Sequence, residues 1–130
     1  MKFLCLVCSE PPVAPLSDAE MQERFTAYFE FNDRLRDSGH YLGCNRLQPA
    51  STAVTVRVRD GRTMTTDGPF AETKEQLGGY FLIEARDRDE AIRIAATVPV
   101  CRNGCVEVRE VAEDPPRMSA PRLAEQSVAG

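Results

Sequence analysis

Asp67 stands in the string Thr65-Thr66-Asp67-Gly68-Pro69-Phe70, and Glu72 follows in the same polar segment. A partly buried carboxylate at Asp67 could exchange a proton with a small polar substrate, with Glu72 as an auxiliary acid or base. Arg46 and Arg102 are the guanidinium groups suited to hold an anionic group beside it. Asn32 borders the apolar stripe of an early helix, where a carboxamide faces either a cleft or water. These residue types fit two chemistries: proton transfer on a small anion, or simple capture of one. Geometry alone also accounts for the segment. An Asp before Gly accepts backbone N–H bonds in an Asx turn, Gly68 tolerates positive φ, and Pro69 fixes the exit direction. Thr73-x-x-Gln76 reads as the cap of a one-turn helix, and Gly78-Gly79 as the reversal into the next strand.

Other reactive groups are sparse. The one histidine, His40, follows a Ser38-Gly39 helix stop, where solvent or the helix C-terminal dipole accounts for it as well as base catalysis does. Five cysteines, Cys5, Cys8, Cys44, Cys101 and Cys105, are an odd number without framework spacing, which suits reduced thiols. Cys5-x-x-Cys8 falls on a strand, where residues three apart point to opposite faces and cannot easily share a metal. Cys101 and Cys105 flank a loop and could approach one ion or each other. With so few ligands, neither a metal nor a cofactor is expected. There is no phosphate-cradling glycine loop, no His-Glu-x-x-His and no Gly-x-Ser-x-Gly turn.

The elements that must position these groups follow from periodicity. Residues 2–8 alternate Phe3, Cys5 and Val7 with Leu4, Leu6 and Cys8, a strand apolar on both faces. Ser17-x-x-Glu20 is a capping box, and Met21, Phe25, Tyr28, Phe31 and Leu35 make the apolar stripe of a helix that ends near Ser38-Gly39. A short strand follows in His40–Pro49. Val54, Val56 and Val58 then alternate with polar residues up to Asp60-Gly61, the signature of a tight hairpin. Tyr80–Ile83 is again apolar on both faces. Asp87-x-x-Glu90 caps a second helix with Ala91, Ile94, Ala95 and Val98 inward and Pro99 as its stop, and Cys105–Val111 is a last strand.

This order predicts an α+β, ferredoxin-like βαββαβ unit with an inserted β-hairpin. Two helices cover one face of its sheet. The other face is apolar too, and leaving it in water costs about 25 cal/mol per Å². A second subunit packed face to face is therefore expected. Residues 1–112 form the domain, and 113–130, rich in proline and without periodicity, read as a mobile tail. With 42% apolar and 28% charged residues the composition is that of an ordinary globular protein, and a net charge of -4 supplies no footprint for direct nucleic-acid or anionic-membrane binding. The apolar run Phe3–Cys8 is too short for a signal peptide, and no run approaches a membrane span, so a cytoplasmic location is expected.

The stretch Val56–Ala96 resembles the signature region of the DGPF branch of the YCII-related family. Agreement extends from Met1 to about Val111 through Gly43, Leu47-Gln48-Pro49, the Asp-Gly hairpin, Asp67–Tyr80 and the closing Val106–Val111. The resemblance implies a dimeric α+β barrel built from two ferredoxin-like units, with a cleft near the interface. It also implies a link to extracytoplasmic-function sigma factors, beside which such proteins are often encoded or to which they are fused. In YCII-like relatives a histidine on the first helix and an aspartate are proposed as an acid-base pair. Asp67 matches that aspartate, but the helix Asp18–Gly39 has no histidine. The resulting expectation is a homodimeric small-ligand-binding or regulatory module, with an Asp67-dependent enzyme as the alternative.

Overall fold

The computed structural model describes residues 1–116, apart from the Arg102 side chain; the rest of the expected tail, residues 117–130, lies outside the described part. Strand β1 (Lys2–Ser9) leads through a proline-containing loop to helix α1 (Asp18–Asp37) and strand β2 (Tyr41–Arg46). The hairpin β3 (Val54–Arg59) and β4 (Arg62–Asp67) follows, then β5 (Gln76–Glu84), α2 (Arg88–Ala95) and β6 (Cys105–Glu110). The main sheet has the order β2-β5-β1-β6 with every pair antiparallel, and β3-β4 form a separate ribbon. This is the expected ferredoxin-like topology with the hairpin inserted between β2 and β5.

Local signals place the boundaries. The Ser17 hydroxyl accepts the Glu20 N–H at 3.1 Å while the Glu20 carboxylate accepts the Ser17 N–H at 3.0 Å, so two orphan donors are satisfied reciprocally. At the other end Gly39 adopts φ 79°, the Gly39 N–H reaches the Arg36 carbonyl and the His40 N–H reaches that of Leu35. That pair of bonds is a Schellman stop, and it aims the chain into β2. Asp60 at φ 53° and Gly61 at φ 73° make the tight β3-β4 turn. Asp87 Oδ1 accepts the Glu90 N–H at 2.8 Å and starts α2.

The core lies between the helices and one face of the sheet. Phe3, Cys5 and Val7 of β1 and Phe81 and Ile83 of β5 are buried there against Phe31, Leu35, Ala91, Ala95 and Val98. Phe31 meets Phe81 edge-on at 4.9 Å between centroids, a geometry worth about 0.5–1.5 kcal/mol beyond the area it buries. Met21, near the start of α1, stays 37% exposed instead of joining the core.

Two local expectations are corrected. Thr73–Gln76 forms no helical turn: the Thr73 hydroxyl donates to the Glu75 carbonyl, and Gln76 already pairs with Ser9 as the first residue of β5. Gly78 and Gly79 do not reverse the chain either; both lie inside β5, at a bulge opposite Val7 and Cys8. Competition for Gln76 from the sheet ladder outweighs the capping preference, because the ladder satisfies backbone groups that a one-turn helix would leave open.

Candidate functional site

At one end of the sheet β1 stops at Ser9, β2 stops at Arg46 and β5 begins at Gln76, and the chain after β2 bends away through Leu47–Ala50. An open groove of about 390 Å³ lies there, walled by Pro11, Pro12, Pro49 and Leu77 and floored by Ser9, Gln76 and Gly78. The Gly78 carbonyl accepts the Leu47 N–H at 2.8 Å, which ties the wall to β5. Gly79 allows the closest approach of β2: a Cβ at that position would sit 2.8 Å from the Asn45 carbonyl oxygen. The glycines of the Gly78-Gly79 pair therefore bring two strands and a loop together beside the groove.

Arg46 is the cation of this groove. Its guanidinium lies 4.9 Å from the centroid of the Phe25 ring on α1, a cation-π contact that holds the group in place while leaving its N–H donors available. Among the described residues Arg46 makes no ion pair, whereas Lys74 pairs with Glu10 at 3.2 Å and Arg109 with Glu107 at 2.7 Å.

Asp67, Glu72 and Asn32 are dispersed. Asp67 ends β4, pairs across the ribbon with Val54 and is exposed. The expected Asx turn is absent. The Gly68 N–H donates to the Ala53 carbonyl at 2.7 Å and the Thr55 hydroxyl to the Gly68 carbonyl at 2.8 Å, with Gly68 at φ 98°. Among the described residues the Asp67 carboxylate accepts no hydrogen bond, so Thr55 and the backbone hold this turn. Glu72 is exposed in the β4-β5 connection. Asn32 faces β2 rather than a groove, with its Nδ2 3.7 Å from the Cys44 thiol. Arg102 closes the short 3-10 turn Pro99–Arg102, which leads into β6 at the sheet end where β1 stops. His40 is structural: Nδ1 meets the Glu84 carbonyl at 2.7 Å and its own carbonyl accepts the Glu84 N–H, clamping the end of α1 to β5. A second groove, of about 690 Å³ between α1 and residues 96–100, is lined among the described side chains by Arg24, Tyr28 and Arg34, and Asp67, Glu72, Arg46 and Asn32 lie away from it.

Sequence reasoning missed Ser9, Gln76 and Phe25. Ser9 and Gln76 meet only through strand register, and Phe25 looks like one more core position of an amphipathic helix.

The family model for the YCII-related domain matches residues 1–114, nearly the whole described chain. The chain belongs to the YCII-related family. An uncharacterized protein of Rhizobium meliloti (strain 1021) is 45% identical over 69 residues, covering 52% of this chain and 56% of that protein. The match thus spans little more than half of that relative's length. Within this YCII-related domain, no helix among the described residues is long and apolar enough to cross a membrane.

Proposed function

We propose that this YCII-related protein is a homodimeric ligand-binding or regulatory module whose groove at the β1-β2-β5 end captures a small anion through Arg46. The observation that carries the reading is the Arg46 guanidinium itself, held over Phe25, at the rim of an open groove and without a carboxylate partner among the described residues. A cation so placed keeps its bidentate donors for a carboxylate or phosphate from outside. Ser9 and Gln76 add polar contacts, and the proline and leucine walls exclude water from one side of a bound molecule.

Support for the dimer comes from the sheet face opposite the helices. Leu4 and Leu6 of β1 and Tyr80 and Leu82 of β5 share it, half-buried, and Leu42 of β2 is 43% exposed. On β6 the same face carries Glu107 and Arg109 instead. The apolar patch is therefore displaced toward β2, and a second copy related by a two-fold axis would centre on β1 and β5. The link to sigma-factor-dependent transcription rests on the resemblance to the DGPF branch and makes the bound anion a signal in this reading.

One observation favours the enzymatic alternative: the Asp67 carboxylate is not consumed by its turn. In that alternative it acts as an acid or base on a small polar substrate in the dimer cleft.

The test is isothermal titration of the full-length protein with inorganic phosphate and with small mono- and dicarboxylates, in parallel with Arg46→Ala and Arg46→Lys. Binding that falls at least tenfold in Arg46→Ala and recovers in part in Arg46→Lys supports the module. Equal affinities in all three proteins would refute the assignment of Arg46. Turnover of a bound compound that disappears in Asp67→Asn, with affinity retained, would select the enzyme instead.

A further inference from the structure

Cys8 and Cys105 lie directly opposite each other in the β1-β6 ladder. Opposed residues of an antiparallel pair have Cα atoms about 4.5–5.5 Å apart, within the span of about 4.4–6.8 Å that a disulfide bridges. Both side chains fall on the face without helices, one step beyond Leu6 and Glu107; Cys8 is half-buried and Cys105 exposed. Gly104 holds the two strand ends together, since a Cβ there would lie 2.4 Å from the Cys8 carbonyl oxygen. The remaining thiols are engaged elsewhere. Cys5 is buried on the opposite face, Cys44 sits against Asn32 and Tyr41, and the Cys101 thiol donates to the Ala95 carbonyl at 3.2 Å.

We propose that Cys8 and Cys105 form a reversible redox pair that accepts a disulfide from a low-molecular-weight disulfide such as oxidised glutathione. The exposed Cys105 thiolate attacks one sulfur of the reagent, whose S–S bond breaks and releases one glutathione thiolate. The Cys8 thiolate then attacks the Cys105 sulfur of the mixed disulfide, forming the internal S–S bond and releasing the second glutathione. Two protein thiols lose their protons and two electrons pass to the reagent, which leaves as two thiols. Burial raises the pKa of both thiols above the ordinary value of 9.0. Cys8 is raised further by Cys105, Glu107 and Glu75, and Cys105 by Glu75 and Cys101. The reduced pair is therefore protonated at neutral pH, and exchange accelerates as the pH climbs through the thiol range. Ser9, the next residue after Cys8, lines the Arg46 groove, so closing the bridge stiffens that end of its floor.

The test equilibrates full-length protein with a reduced and oxidised glutathione mixture near pH 8, quenches with acid, alkylates free thiols and maps peptides by mass. The expected product joins the Cys8 and Cys105 peptides with loss of two hydrogens, and raises the thermal midpoint by roughly 10 °C until dithiothreitol reverses it. In Cys8→Ser the same mixture leaves a lasting glutathione adduct on Cys105, because no second thiol resolves it. Cys105→Ser, altered at an exposed position, serves if Cys8→Ser fails to fold, and it should form no internal bridge. A wild-type protein that stays fully reduced, keeps a mixed disulfide on Cys105 or bridges other cysteines would overturn the proposal.

Discussion

The Asn45 carboxamide donates a hydrogen bond to the Tyr80 hydroxyl at 2.8 Å, across the β2-β5 ladder and on the sheet face that no helix covers. The bond satisfies the one polar tip of an otherwise apolar patch, in the way that a buried tyrosine at an interface needs. It therefore bears on the proposal that a second copy covers Leu4, Leu6 and Leu82.

Leu6→Glu places a charge in the middle of that patch, beside Tyr80 and opposite Glu107. Association between copies is expected to weaken by at least about 100-fold, roughly 2.7 kcal/mol. Light scattering after size-exclusion chromatography reads the mass directly, and circular dichroism checks that the fold survives. A variant that stays folded and dimeric would move the interface away from this face.

The two adjacent glycines of β5 should respond oppositely to alanine. At Gly79 the new Cβ meets the Asn45 carbonyl at 2.8 Å, and backbone must shift, at a cost of about 1–3 kcal/mol. At Gly78 the nearest atom is 4.0 Å away, so Gly78→Ala is expected to be neutral or slightly stabilising. Urea midpoints of the two variants provide the comparison, and equal midpoints would contradict the close approach of β2.

Asp67→Asn is expected to leave stability within about 0.5 kcal/mol of the wild type, since the carboxylate holds no bond in its turn. Gly68→Ala, forced to φ 98°, should lower it by about 1 kcal/mol or more. Thermal denaturation distinguishes these outcomes; a large loss in Asp67→Asn would restore the Asx turn.

Acid should weaken the helix starts. Backbone hydrogen bonds hold three carboxyls below their ordinary values: Glu20 through the Ser17 N–H, Asp87 through the Glu90 N–H, and Glu90 through the Arg86 N–H. A depressed folded-state pKa adds stability that is complete above the unfolded value and lost as the pH falls through the folded one. The thermal midpoint should thus hold from pH 7 to 5 and decline below the ordinary glutamate value of 4.5. Glu20→Gln combined with Asp87→Asn removes two of these titrating groups while keeping a capping acceptor at each place, and should show a shallower acid decline. An unchanged decline would assign the acid sensitivity to other groups.

Strands β1 and β5, both helices and the β3-β4 ribbon were legible because each carries its own signal: two-sided apolar runs, capping residues, and an Asp-Gly turn whose two φ values are positive. Residues 70–79 were misread for the opposite reason. Thr73, Gln76, Gly78 and Gly79 have strong local preferences, and distant partners, Ser9 and Asn45, decided between them. The candidate site was legible only at Arg46. Its platform Phe25 comes from a helix and its neighbours Ser9 and Gln76 from two paired strands, and one-dimensional spacing does not encode such convergence. Asp67, Glu72 and Asn32 were chosen for what they could do chemically, and the fold sends them to three different places.

The β3-β4 ribbon leaves Val54, Val56, Val58 and Met64 more than half exposed, and it hangs between β2 and β5 without joining their ladder. Core register is set by β1, which neither end of the ribbon touches as a strand partner. Residue pairs can therefore be added to or removed from this arm without realigning a single contact of the main sheet. Divergence among descendants of this chain should accumulate there as changes in arm length, with the core kept as a fixed frame.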